Sequence, residues 1–137
     1  MGTPHLTIFV ERGVQVCVLY GQFDGHFRSH GQKIKEFLNP FYLVNGYTSE
    51  DAKNSAANGI GCLAAQAVAH FKRGIGNFLL QSPGAELDQE PYVYVVSTGS
   101  GIDRWRSAIN IAAYCDGTRA YSGPVSEFVP LNLGASQ

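Results

Sequence analysis

Apolar and polar residues alternate through residues 5–10 (HLTIFV) and 14–20 (VQVCVLY), with Glu11-Arg12-Gly13 between the two runs. At a period of two, Val14, Val16, Val18 and Tyr20 share one face, so the pattern predicts a β-hairpin. The period changes after Asp24-Gly25. Ser29 stands three positions before Gln32, and Ile34, Phe37 and Leu38 recur at helical spacing. This predicts a first helix over 29–38, opened by a capping box and stopped by Asn39-Pro40. The most regular pattern belongs to a second helix, in which Ile60, Leu63, Ala64, Ala67, Val68 and Phe71 form one stripe. Asn58 is its expected cap, and Lys72-Arg73-Gly74 its end. The stripe is expected to bury Leu63, Val68 and Phe71 against a sheet, with truncation of Phe71 to alanine costing about 3 to 5 kcal/mol.

Four further strands follow at 77–81, 92–98, 108–115 and 118–122, the last two joined by the turn Asp116-Gly117. The elements add up to an α+β domain, a mostly antiparallel sheet of about six strands with two helices. Segment 82–91 (SPGAELDQEP) is polar and bounded by proline and glycine, and is expected to be a solvated loop; residues 131–137 are expected to form a flexible tail. The chain has 137 residues, 45% of them apolar and 15% charged, which fits one domain over 1–137 that needs neither metal nor disulfide staples. Cys17, Cys62 and Cys115 make an odd count with no C-x-x-C pair, so three buried thiols are expected.

Ten Lys and Arg against eleven Asp and Glu leave a net charge of -1, which lacks the basic footprint of a protein that coats long nucleic acid. No apolar run approaches the roughly 20 residues of a spanning helix, and Met1 to His5 lacks the charged and apolar regions of a signal peptide. No membrane partner is therefore expected, and the location expected is cytoplasmic.

Candidate chemistry concentrates in residues 22–31, with Gln22, Asp24, His26, Arg28, Ser29, His30 and Gly31 leading into the first helix. A helix start offers unpaired amides and a partial positive charge, which with these side chains suits a phosphate or other anion. A capped turn with surface histidines is the plain alternative. His26 and His30 lie on either side of the expected cap, so no metal pair is expected. His5-Leu6-Thr7 has the form of one H-x-T half of a two-histidine phosphoesterase, whose mechanism needs a second such motif to supply both acid and base. None occurs, so His5 reads as an ordinary strand residue. His70 likewise reads as a helix-surface or satisfied core histidine. In 98–106 (TGSGIDRWR), Arg104 and Arg106 flank Trp105, an arrangement suited to phosphate pairing and base stacking. A hairpin tip with solvated arginines is the alternative there, and Arg119 is expected to be exposed. With no complete catalytic set, no enzyme activity, cofactor or metal is expected.

The blocks LYGQFDGHFRSHGQKIKEFL (19–38), NGIGCLAAQAVAHFKRGIGNFLLQ (58–81), YVYVV (92–96) and YSGPVSEF (121–128) together resemble a family of small bacteriophage and prophage proteins. In that family a Y-x-Q-x-D-G-Y-P-x-G-H-G type segment precedes the first helix. This chain departs from it at His26-Phe27, where the usual pair is Tyr-Pro, and at Ser29, where the usual residue before the histidine is Gly. The size and α+β layout are also similar to phage sponges of the Thoeris anti-defence class. That resemblance implies an anti-defence protein of the infected host's cytoplasm. Such a protein binds and sequesters a small nucleotide-derived immune signal, of the cyclic ADP-ribose or cyclic oligonucleotide type, without cleaving it. A structural or protein-interaction module of phage origin, and a small phosphodiesterase using His26 or His30 with Asp24, are the alternatives. A homo-oligomer is expected from the small residues Ala56, Ala57, Gly59, Gly61, Ala65 and Ala69, which permit close approach of another backbone.

Overall fold

The hairpin that the alternation predicts lies within the sheet. In a computed structural model, which describes residues 2–133, β1 (His5–Glu11) and β2 (Val14–Gly21) pair antiparallel. They turn at Arg12 and Gly13, with φ of 52° and 79°. Two successive left-handed residues give the turn the twist that adjacent strands need. The chain continues through α1 (Gln32–Leu38), β3 (Tyr42–Val44), β4 (Ala56–Asn58), α2 (Gly59–Phe71), β5 (Phe78–Gln81), β6 (Tyr92–Gly101), β7 (Arg106–Cys115) and β8 (Thr118–Pro124).

The strands lie in the order β4-β3-β7-β6-β1-β2-β5, and β8 also pairs with β7. The edge of β7 away from β6 is shared: β3 takes Arg106 and Ser107, and β8 takes the stretch from Asn110 to Cys115. The architecture is α+β with two helices, as expected, but the sheet has eight strands rather than about six. It is also mixed, because β1 runs parallel to β6 and β3 parallel to β4. Strands β3 and β4 have three residues each, too few for an alternation to show. Ala56 and Ala57 belong to β4, not to the helix surface assigned to them.

Most of the core lies between the sheet and the helices. Ile34 and Leu38 of α1 and Ile60, Leu63, Ala64 and Ala67 of α2 pack against Phe9, Tyr94, Val96 and Ile111. Val68 and Phe71 are only half-buried, contrary to the expected stripe, because the C-terminal end of α2 borders a cleft. Leu6, Ile8, Val18 and Val93 form a second cluster on the other face. Segment 82–91 is not simply solvated, since Ala85 packs on that second cluster. Gln15 holds it there: its Nε2 donates to the Ala85 carbonyl at 2.9 Å, and its Oε1 accepts the amides of Gly84 and Ala85 at 2.7 and 2.9 Å.

Residues 131–133 of the expected tail are part of the fold. Residues 130–132 form a 3-10 turn with Pro130 buried, and Leu133 packs on the core. Nearby, Lys35 Nζ donates to the carbonyls of Val125, Ser126 and Phe128 at 2.7, 3.2 and 2.8 Å. Residues 134–137 of that segment lie outside the described residues. The three cysteines are half-buried rather than buried, and burial pushes the Cys17 thiol up. No helix among the described residues is long and apolar enough to cross a membrane.

Both helix starts differ from expectation. No capping box forms, because residues 27–31 make a π-type turn that runs into α1 and places Ser29 inside the coil. At α2 the Asn58 side chain turns away and accepts the Gly46 amide at 2.7 Å. The carboxylate of Glu11 replaces it, its Oε2 accepting the Ile60 amide at 3.3 Å. A carboxylate at a helix N-terminus stabilises the exposed amides, so Glu11→Ala is expected to lower stability by about 0.5 to 1 kcal/mol in urea unfolding.

Candidate functional site

A cleft of about 450 Å³ opens between α1, the C-terminal end of α2 and the start of β5. His30, from the turn before α1, lines it while remaining 2% exposed. Lys33 and Phe37, three and seven positions further on, face the same space. Phe71 and Arg73 arrive from the end of α2, and Phe78 from β5. The link between those two elements is tight, with Gly74, Gly76 and Asn77 all at positive φ. Lys72 Nζ secures it by donating to the carbonyls of Gly76 and Phe78 at 3.0 and 2.6 Å. The rings of Phe71 and Phe78 then lie 5.6 Å apart, with His30 5.2 Å from Phe71.

Behind His30, outside the lining of the cleft, lies β1. His5, Thr7 and Phe9 occupy alternate positions, so they share the helix-facing side of that strand. Thr7 Oγ1 lies 2.9 Å from His30 Nε2, and the His5 ring stacks on His30 at 3.9 Å with 26° between the planes. His5 Nδ1 is buried without a hydrogen-bond partner. Behind this pair the Tyr94 hydroxyl donates to the Gly25 carbonyl at 2.7 Å, and Gly31 passes so close that a β-carbon there would sit 3.0 Å from the Tyr94 oxygen.

Burial disfavours the imidazolium form of both histidines. It lowers His5 to about 4, only partly opposed by a hydrogen bond to the Phe23 backbone and by the charge of Asp24. His30 is held well below its ordinary value by burial, then by His5 and the Lys33 charge. Both imidazoles are thus neutral at pH 7. Because both folded values are below the unfolded value, the unfolded chain takes up protons first as pH falls. Stability present above pH 6.5 is therefore expected to decline towards pH 4, by about 3 kcal/mol for His5 alone, or on the order of 10 °C in melting temperature. Thermal melts across that range check this: a flat profile contradicts it, and His5→Gln should make the profile shallower, leaving the part due to His30.

The mouth carries Lys33 and Arg73, both exposed, neither in an ion pair with a carboxylate among the described residues. Asp24 and Glu36 are also on the rim, and Glu36 accepts a hydrogen bond from Gln32 Nε2 at 3.0 Å. Four phenylalanines, Phe23, Phe37, Phe71 and Phe78, make the apolar wall, and the His70 ring is 4.8 Å from Phe37.

Of the residues singled out in 22–31, Asp24 and His30 line this cleft. Asp24 adopts φ of 63°, and its carbonyl accepts the His30 amide at 2.8 Å. Gln22 is exposed and its amide donates to the Asn77 carbonyl. His26 packs on Tyr92 at 5.1 Å instead, and Arg28 is exposed without lining the cleft. The amides of Ser29 and Gly31 both donate to the His26 carbonyl. The anion site expected on the amides at this helix start is therefore closed by the chain's own carbonyls.

Arg104, Trp105 and Arg106 are at the other end of the sheet, exposed at the β6–β7 tip, so the structure does not join the two candidate groups into one site. Arg119 is exposed, as expected. His5 is a strand residue, as expected, and does not line the cleft; its stacking on His30 is a tertiary contact, although His5 and Thr7 on alternate positions are two polar residues facing the core. Lys33 and Phe37 were also legible by helical spacing from His30. Arg73 and Phe78 were not, because only the tertiary fold brings them there. Among the described residues no group of three or more His, Cys, Asp or Glu is placed to hold a metal ion. No family model, curated protein or solved structure matches this chain.

Proposed function

We propose that the cleft lined by His30 binds a small nucleotide-derived anion and holds it unchanged. The observation that carries this reading is a neutral, buried imidazole set among phenylalanine rings, with two cations at the mouth that are in no ion pair among the described residues. Aromatic walls accept a flat ring, a neutral imidazole can bond to a polar ring edge, and Lys33 and Arg73 suit a phosphate outside. Asp24 and His30 both line the cleft, so turnover as a phosphodiesterase is the second reading, and the likeness to sponges is what favours retention.

The likeness to phage proteins and anti-defence sponges supplies the ligand class, a cyclic ADP-ribose or cyclic oligonucleotide signal, and the infected cell's cytoplasm as the place of action. The reading is tested by incubating the purified protein with such signals, removing the protein, and heating it to release what it holds. Depletion followed by recovery of the intact molecule is the expected result. Recovery of an altered molecule makes the protein a phosphodiesterase, and absence of depletion makes it an interaction module.

A further inference from the structure

We propose that the tip of the β6–β7 hairpin is a self-association surface whose partner is a second copy of this chain. The proposal is independent of the ligand assigned to the cleft at the other end of the sheet. Trp105 at this tip is 72% exposed, Ile102 55%, and Tyr47 on the neighbouring loop 65%. Large aromatic side chains at that exposure are the residue types that carry protein interfaces. The tip is ordered by its own bonds rather than splayed. Asp103 Oδ1 accepts the amides of Trp105 and Arg106 at 2.8 and 2.9 Å, and its Oδ2 accepts Arg106 Nε and Nη2 at 2.8 and 2.6 Å. Trp105 is therefore displayed on a fixed support, with the Arg104 guanidinium 5.0 Å from its ring centre.

Beside the tip is a cleft of about 510 Å³ whose lining includes Trp105, Arg106, Tyr42, Glu50 and Asp51. Most charges there are already engaged. Arg106 pairs with Asp103, and the Asp51 carboxylate takes the Tyr42 hydroxyl at 2.8 Å and the Thr48 amide at 3.0 Å. Arg104 and Glu50 have no ion-pair partner among the described residues. The patch thus presents a free cation on an exposed indole and a free anion on the rim of a cleft.

A surface that holds both halves of a complementary pair matches a two-fold interface, in which each contact is made twice. The Arg104-Trp105 tip of one copy enters the cleft of the other, and its Arg104 pairs with Glu50 there. Two tryptophans bury on the order of 150–250 Å² each, and with Ile102 and Tyr47 on both sides the total reaches the roughly 1,000 Å² of a specific contact.

Sedimentation over a range of protein concentrations tests this on wild type, Trp105→Ala, Arg104→Glu, Glu50→Arg and the Arg104→Glu/Glu50→Arg double variant. All these positions are exposed, so the variants fold. Wild type is expected to dimerise reversibly and Trp105→Ala to stay monomeric. Each charge reversal should weaken the dimer by about tenfold or more, and the double variant should return to within about threefold of wild type. A wild-type monomer at every concentration overturns the proposal, as does a dimer that Trp105→Ala leaves intact. A double variant no tighter than the single ones overturns the pairing of Arg104 with Glu50.

Discussion

Truncating Phe27 to alanine is expected to cost about 3 to 5 kcal/mol, measured by urea unfolding, the largest loss of any substitution considered for this chain. Phe27 is 1% exposed, its ring set edge-on to Tyr92 at 5.0 Å and to Tyr94 at 6.2 Å. Removing it leaves a void bounded by side chains of the central strand β6, which cannot collapse inward. Phe71→Ala should cost less, because Phe71 is half-buried and borders the cleft, so solvent can fill the space it leaves. The order of the two costs is the check, and Phe71→Ala costing more than Phe27→Ala contradicts the description of the core. Phe27 also lies in the turn that carries His30, so its loss should loosen His30 in the cleft.

The period-two and helical patterns were enough to place six strands and both helices within a few residues. The hairpin turns at Arg12-Gly13 and Asp116-Gly117 were legible because Gly13, Asp116 and Gly117 are residue types that tolerate positive φ. The parallel pairing of β1 with β6 was not legible, since it joins segments more than eighty residues apart in sequence and no turn encodes it. Helix capping failed for a related reason. Ser29 and Asn58 have the right chemistry, but tertiary contacts placed Ser29 within a turn and gave Asn58's role to Glu11, a residue from another strand. The site was half legible. Local sequence pointed to Asp24 and His30, whereas the stacking of His5 on His30 and the arrival of Arg73 and Phe78 depend on the assembled sheet.

Removing both cations at the mouth of the cleft is expected to abolish most ligand binding. A hydrogen bond to a charged group contributes about 1.5 to 3 kcal/mol, so Lys33→Ala combined with Arg73→Ala should weaken an anionic ligand by more than about a hundredfold. Arg28→Ala should change little, because Arg28 does not line the cleft. Binding should persist at pH 8, since His30 is held neutral already below that pH. Calorimetric titration of the variants checks each statement, and equal affinities for wild type and the double variant remove this site.

The central claim is that one cleft reads a flat ring and an anion together. It is tested most directly by calorimetric titration of the wild-type protein with three probes: cyclic ADP-ribose and cyclic dinucleotides, the corresponding uncharged nucleosides, and inorganic phosphate. Measurable binding of at least one cyclic nucleotide is expected, with much weaker binding of its nucleoside and none of phosphate alone. Phosphate binding as tightly as the nucleotides, or no binding by any cyclic nucleotide, would contradict it.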